Sequence, residues 1–422
     1  MRMSIFTLLS LLVISAAAEK ARFDKYRVHS VLPRNVQQVE ALKGLELTNE
    51  ASTSNDYYNF WTDIGLPNRY VDIMVPPHKR SEFNSFIEEN NIEQEIKIEN
   101  VQQLIDQEES MLRFRSNSME WKNYHKLEEI YDFLDNLAKE YPNIVKPVVG
   151  GKTYEGRLIR GIEINFGKNQ SKVLMEAGIH AREWIGPAST TWMINEILKG
   201  KLDPVFKRFN YLYFPIVNPD GYVYTWTQNR MWRKTRKPYM GNRGVACYGA
   251  DPNRNWNFHW NEVGSSDDPC SETYAGPSAF SEVETRTLAE YLTSVSSEQK
   301  EDIYLAYHSY SQLIMYPWGY TEEPSRNDAI FEKVAKAAAD ALYKVHKQIF
   351  EVGSIATAIY PTSGTSIEWF YNKFNATIAF AYELRDTGKH GFLLPPENII
   401  PCGEEQIASL KAILDEYEKL KN

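Results

Sequence analysis

The sequence predicts an α/β protein in two parts: a three-layer domain with a mixed central β-sheet flanked by helices, preceded by a small α+β open sandwich. Three observations carry this. From Tyr124 to the C-terminus, buried-strand runs alternate with helical runs. Within residues 19–115, short strands ended by proline interleave with short amphipathic helices. The chain has 422 residues and is 43% apolar, enough for two cores, and its 13% aromatic share argues against disorder.

The first residues read MRMSIFTLLSLLVISAAAEK. Arg2 supplies a positive start, Ser4 to Ile14 is mostly apolar, and Ala16 and Ala18 are small enough for a processing site. The apolar part falls short of the roughly 20 residues that span a bilayer. Residues 1–18 are therefore expected to be a cleaved secretory signal, and the protein to be secreted.

In the upstream part, KYRVHSVLP and RYVDIMVPP are expected as strands, NVQQVEALKGLE and SEFNSFIEENN as helices, and EQEIKIE as a further strand. The polar patch TNEASTSND is expected to be a loop. QEESMLRFRSNSMEW then resembles an exposed connector, and Arg113 or Arg115 offers a tryptic cleavage point within it. Composition alone leaves an ordinary linker as the alternative.

Downstream, YHKLEEIYDFLDNLAKEYP puts Leu127, Ile130, Tyr131, Leu134 and Leu137 on one helical face, and Pro142 stops it. SKVLMEAGI, NYLYFPIVN, DIYLAYHS and TIAFAYEL are apolar enough for strands buried on both faces. PASTTWMINEILKG, NDAIFEKVAKAAADALYKVH and EEQIASLKAILDEYEKL are expected as helices.

Charge and cysteine content narrow the function classes. The net charge is -9, and residues 19–115 alone hold 12 Lys/Arg against 17 Asp/Glu. Both parts are acidic, so neither nucleic acid nor an anionic membrane is an expected partner. Three cysteines in a secreted chain favour one disulfide and one free thiol. Cys247 and Cys270 lie in one loop-rich region and are expected to pair, leaving Cys402. Asn169 and Asn375 begin sequons that could carry glycans.

Chemistry concentrates at strand ends. GIHAREW sets His180 and Glu183 just after the run KVLMEA, where open α/β sheets form ligand crevices. A His-x-x-Glu pair can hold zinc, though alone it is a weak signal. Of the eight histidines, only His308 also sits at the end of a buried strand. The three together make a His2Glu set with an open fourth position, the composition of catalytic zinc. Glu383, in AFAYELRDTG, is a carboxylate at another strand end and a candidate general base. Its structural alternative is a salt bridge to Arg385. TQNRMWRKTRK suggests by itself a solvated basic loop. Asn253 and Arg254, in DPNRNWN, can grip a carboxylate with several donors. Tyr360 adds a phenol on a loop rich in Gly, Pro and Ser.

GIHAREW, NPDGY, QNRMWRKTR, DPNRNWN, HSYSQLIMYPWGY, SGTSIEW and ELRDTGKHGFLLP occur in this order. Together they resemble the secreted zinc metallocarboxypeptidases of the A/B type, in their digestive branch. The likeness runs from about Tyr124 to the C-terminus, and the upstream module resembles, less sharply, that family's activation peptide. The resemblance implies a signal over 1–18, an activation domain over 19–115 and a catalytic domain over 116–422. It implies one zinc ion held by His180, Glu183 and His308, with Glu383 as base and Arg233 on the oxyanion. Asn253, Arg254 and Tyr360 would hold the terminal carboxylate, Arg182 would belong to the neighbouring subsite, and Asp251 would stand behind the first zinc histidine. The position that selects the removed residue falls at Ile367, with Met315, Ile355, Thr362 and Ala381 around it. An aspartate there would mark B-type cleavage after Lys or Arg; Ile367 implies A-type preference for aromatic or aliphatic ends. Expected partners are peptide and protein C-termini and a trypsin-like protease that cuts after Arg115 or Arg113. The expected state is a monomer, secreted into an extracellular space such as a digestive lumen. The alternatives are B-type specificity or a non-catalytic peptide-binding member of the fold.

Overall fold

The alternating apolar residues of RVHSVL and VDIMV become the two central strands of the upstream unit. Its strands are β1 (Arg27–Leu32), β2 (Asn59–Phe60), β3 (Val71–Val75) and β4 (Glu93–Ile98), paired antiparallel in the order β2-β3-β1-β4. Helices α1 (Val36–Leu47), α2 (Arg80–Glu89) and α3 (Val101–Leu112) accompany the sheet. Val31, Leu42, Ile73, Phe83 and Ile87 form its core. Asn35 caps α1 by accepting from the Gln38 amide. This computed structural model describes residues 19–48, 57–112, 119–241, 244–296 and 301–421. The expected signal over 1–18, most of the polar patch TNEASTSND, and both Arg113 and Arg115 lie outside the described residues.

The first half of the expected connector is helical. QEESML completes α3, which buries Val101, Gln102, Ile105 and Glu108. Polarity concealed this, because the stripe facing the neighbouring domain includes a buried glutamate.

The larger unit opens with α4 (Leu127–Glu140), β5 (Val145–Lys152), β6 (Leu158–Ile164), β7 (Lys172–Ala177) and α5 (Ile185–Lys199). It continues through β8 (Asn210–Phe214), α6 (Pro219–Thr227), β9 (Pro238–Met240), β10 (Ala246–Tyr248), α7 (Val283–Ser296) and β11 (Glu301–Ser309). It closes with β12 (Leu313–Tyr316), α8 (Asp328–His346), β13 (Glu351–Ser354), α9 (Ile355–Ala358), α10 (Ser366–Phe374), β14 (Ile378–Leu384) and α11 (Ile399–Lys421). In α4 the buried stripe is Leu127, Ile130, Phe133, Leu134 and Leu137; Phe133 takes the place expected for Tyr131, which is only half-buried.

Eight strands form one mixed sheet in the order β13-β12-β14-β11-β7-β8-β6-β5. The four central strands β14, β11, β7 and β8 run parallel. Every residue of β7 is buried, as expected for a strand covered on both faces. Helices flank the sheet: α5, α8 and α11 pack together, α10 lies on β11 and β14, and α4 lies on β5 and β6. None of the helices among the described residues is long and apolar enough to cross a membrane.

The parallel centre aims the C-terminal ends of β7, β11 and β14 at one crevice. Gly178 makes the turn that leaves β7. Its φ of +63° belongs to the left-handed region, and an added Cβ would lie 3.1 Å from the Pro215 carbonyl oxygen. Cys247 and Cys270 are bridged, and Cys402 is free and buried.

Arg385 does not pair with Glu383. Its Nε donates to Glu405 Oε2 of α11 at 2.9 Å, and its Nη1 to Asn398 just before that helix. Glu405 is almost fully buried. Arg385→Met would leave that carboxylate in the interior without its cation, at a cost of about 3–5 kcal/mol. The thermal midpoint should fall accordingly; an unchanged midpoint would show that this pair contributes no stability.

Candidate active site

His180 and Glu183 sit in the turn between β7 and α5, and His308 is the penultimate residue of β11. All three are buried, and their ligand atoms lie within 4.8 Å of one another. Glu183 Oε1 is 2.7 Å from His180 Nδ1, Glu183 Oε2 is 3.2 Å from His308 Nδ1, and the two Nδ1 atoms are 3.3 Å apart. On the other side of the first ring, His180 Nε2 is 3.1 Å from Asp251 Oδ1.

This geometry tests whether a cation fits. A neutral His180 that donates from Nε2 to Asp251 has no hydrogen on Nδ1. Its lone pair then faces the Glu183 carboxylate at 2.7 Å, which is repulsive unless something positive lies between. Two imidazole nitrogens and one carboxylate oxygen converging this way suit zinc with an open position. Burial raises the Glu183 carboxyl's pKa, but with no metal bound, protonated His180 and His308 outweigh it and hold it well below the usual range.

Glu383 lies on β14 directly opposite His308 in the parallel register. It faces the same cavity of about 60 Å³ as the triad. Burial first, and then the charge of Glu183, push its carboxyl well above the ordinary value.

Asp251 is fully buried and joins the metal-ligand side to the cationic side. Arg233 donates to its Oδ2 through Nη2 at 2.7 Å. Burial raises the pKa of Asp251, yet Arg233, His180 and Arg254 hold it far below the usual carboxylate range. The segment that composition suggested as a solvated basic loop is therefore largely interior: Arg230, Arg233 and Lys234 are all buried. Burial pushes Lys234 down to about 8, and its Nζ donates to the Pro269 carbonyl.

Arg254, Asn253 and Tyr360 line the same cavity. Arg254 Nε donates to the Gly264 carbonyl at 2.8 Å, and Nη2 reaches the Tyr360 hydroxyl at 3.4 Å. Asn253 Oδ1 accepts from the Ser366 amide at 3.0 Å. Gly364 permits this closeness: its φ is +71°, and a Cβ there would lie 2.5 Å from the Arg254 carbonyl oxygen. Ile367, Met315, Ile355, Thr362 and Ala381 also line the cavity, together with Ile359 and Thr365.

The upstream module reaches into this site through residues that no pattern singled out. Arg254 Nη2 donates to Asp63 Oδ2 at 2.6 Å, and Arg182 Nη1 donates to Asn59 Oδ1 at 3.0 Å. Trp61 packs against Tyr310 and Phe392, and the Tyr310 hydroxyl donates to Asp72 at 2.6 Å. Arg230 meets Glu108 of α3 through two bonds, Nε at 2.7 Å and Nη2 at 3.1 Å. Asp63 and Trp61 share the stretch NFWTDIG, whose one sequence signal is a large aromatic beside an acid in a loop.

Comparison with known proteins agrees with this geometry. The zinc carboxypeptidase family matches residues 130–409, and the carboxypeptidase activation peptide family matches 29–108. The chain is 41% identical over 407 residues to zinc carboxypeptidase A 1 of Anopheles gambiae, covering 95% of this chain and 91% of that protein. It is 43% identical over 298 residues to carboxypeptidase B of Astacus astacus, covering 70% of this chain and 97% of that protein. The crystal structure of carboxypeptidase A from Helicoverpa armigera superposes with a TM-score of 0.83 at 28% identity, covering 93% and 98% of the two chains. The three converging residues could hold the metal of such an enzyme, and the chain belongs to the zinc carboxypeptidases, a family of hydrolases, and carries their activation peptide at its N-terminal side.

Proposed function

We propose that this protein is a secreted zymogen whose activated form removes aromatic or aliphatic residues from peptide and protein C-termini. The observation that carries the reading is one buried cavity shared by the metal triad, Glu383 and the Arg254–Asn253 pair. When bound by His180, Glu183 and His308, zinc supplies Lewis acidity toward the scissile carbonyl and the attacking water. Glu383 accepts the water's proton and returns it to the leaving nitrogen; a carboxyl with a raised pKa suits both halves of that transfer. Arg233, fixed by Asp251, stabilises the negative charge that develops on the carbonyl oxygen. Arg254 and Asn253 hold the terminal carboxylate, Tyr360 closes over the bound residue, and Arg182 serves the subsite before the scissile bond. Only a chain end presents a carboxylate there, so cleavage is confined to the last residue.

The A-type reading rests on the pocket wall. Ile367, Met315, Ile355 and Ala381 are apolar and buried. A lysine or arginine side chain buried against them without a partner would cost several kcal/mol. Overall identity does not decide the matter, because relatives named carboxypeptidase A and carboxypeptidase B resemble this chain about equally.

The activation module silences the enzyme by substitution. Asp63 occupies the Arg254 guanidinium that a substrate carboxylate needs, and Trp61 covers Tyr310 and Phe392. A trypsin-like protease that cuts after Arg115 or Arg113 would release the module, leaving a monomeric enzyme.

Three results test these roles, the first two on protein activated by trypsin. Glu383→Gln should lower kcat by at least about 1,000-fold while leaving inhibitor binding near normal; a loss of less than tenfold would remove Glu383 as the base. Ile367→Asp should shift the kcat/KM ratio for Lys over Phe ends by at least about 100-fold. An unmoved ratio would place the selecting residue elsewhere. In the uncut zymogen, Asp63→Ala should raise hydrolysis of a small dipeptide substrate about tenfold and leave the cut enzyme unchanged; no rise would mean that Trp61 and its neighbours block the cleft without Asp63.

A further inference from the structure

We propose that Glu176 is a positioning residue for the terminal-carboxylate grip, acting through Ser366 on Asn253. The proposal rests on the reading above, in which Asn253 holds the substrate's terminal carboxylate. Glu176 lies in β7, four residues before His180, and is only 3% exposed. Among the described residues no Lys or Arg pairs with it. Its Oε1 accepts two hydroxyls instead: Tyr304 of β11, and Ser366 at 2.7 Å. A buried carboxylate held by neutral donors alone is costly, so its site has a demand that an apolar residue would not meet.

That demand lies at the start of α10. Ser366 is the first residue of this helix, and its amide is one of those left without an intrahelical partner. The amide donates to Asn253 Oδ1 at 3.0 Å. Because Oδ1 is committed to Ser366, the Asn253 amide group turns its Nδ2 hydrogens the other way, as donors. Glu176 thus pins the Ser366 hydroxyl to the sheet, and the Ser366 amide sets which end of Asn253 is offered. The next residue, Ile367, lines the pocket. One buried hydrogen-bonded chain links strand β7, the helix that carries the specificity residue, and the carboxylate grip.

The test uses protein made as the full chain and then activated by trypsin, with a dipeptide substrate ending in Phe. Glu176→Met keeps the volume and removes the acceptor. It should raise KM about tenfold with kcat changed less than about threefold. Glu176→Gln keeps one acceptor oxygen and should restore KM to within about threefold of the parent. In an Asn253→Ala background, Glu176→Met should raise KM by less than about twofold more, because its route is already cut. Ser366→Ala removes the link with a smaller perturbation and should raise KM by at least about threefold even if Glu176→Met does not fold. A lowered thermal midpoint with unchanged KM in Ser366→Ala or Glu176→Met would overturn the proposal. So would a full tenfold effect of Glu176→Met on top of Asn253→Ala. If Asn253→Ala itself leaves KM unchanged, the carboxylate-grip reading fails first; if Asn253→Ala raises KM but neither Glu176→Met nor Ser366→Ala does, only the present proposal fails.

Discussion

The site depends on one buried carboxylate, Asp251. It receives His180 Nε2 on one oxygen and Arg233 on the other, and Arg254 Nη1 stands 3.8 Å away. A lone carboxylate in such an interior would be neutralised by protonation. Three cationic or proton-donating neighbours keep it charged, and its charge in turn lets two arginines be buried beside a metal site. It also fixes the tautomer of His180, so that the Nδ1 lone pair turns toward Glu183 and His308. The backbone N–H of Asn253 donates to the same carboxylate, which locks the turn carrying Asn253 and Arg254. The candidate metal ligand His180, Arg233 and the Asn253–Arg254 turn are thereby held in one rigid frame.

The sheet supplies the rest of that frame. Parallel strands β7, β11 and β14 end together, so residues distant in sequence arrive at one crevice without special loops. His308 and Glu383 are register partners, which makes their spacing a property of the sheet. The activation module engages buried arginines of the larger unit, two of which are proposed above to meet the substrate. Asp63 meets Arg254, Asn59 meets Arg182, and Glu108 meets Arg230. Burying Glu108 with Arg230 adds less net stability than a matched apolar contact would. What such pairs add is specificity of docking, because each charge tolerates burial only opposite its partner.

Much of this was legible in the sequence, for physical reasons. Fully buried strands such as KVLMEA and TIAFAYEL announce themselves by continuous apolarity, and costly polar residues at their ends mark the crevice. The lesser strands did not. β5 and β6 carry lysines, glycines and an arginine, and β13 is four residues long, so neither period nor composition marked them. Pairwise burial was also invisible: Glu108 looks like a solvated helix residue until Arg230 covers it, and Arg385 looks like a partner for Glu383 until α11 offers Glu405. Glu176 sits inside the apolar run that defines β7, where the pattern gives no hint that Ser366, 190 residues away, will meet it. The site's ligands were readable because their cost is local; Glu108, Glu405 and Glu176 were not, because their compensation comes from distant chain.

In the function proposed above, a terminal carboxylate held by Arg254 and Asn253 confines the zinc chemistry to chain ends. Its most direct test is the rate at which zinc-loaded, activated protein hydrolyses two matched peptides, one ending in Phe with a free carboxylate and one ending in Phe amide. The account predicts that kcat/KM for the amide falls by at least about 1,000-fold, since a charge-assisted, multiply bonded contact is lost. It also predicts that Arg254→Met lowers the free acid to nearly the level of the amide. Comparable rates on the two peptides, or an Arg254→Met enzyme that still prefers the free acid, would contradict it.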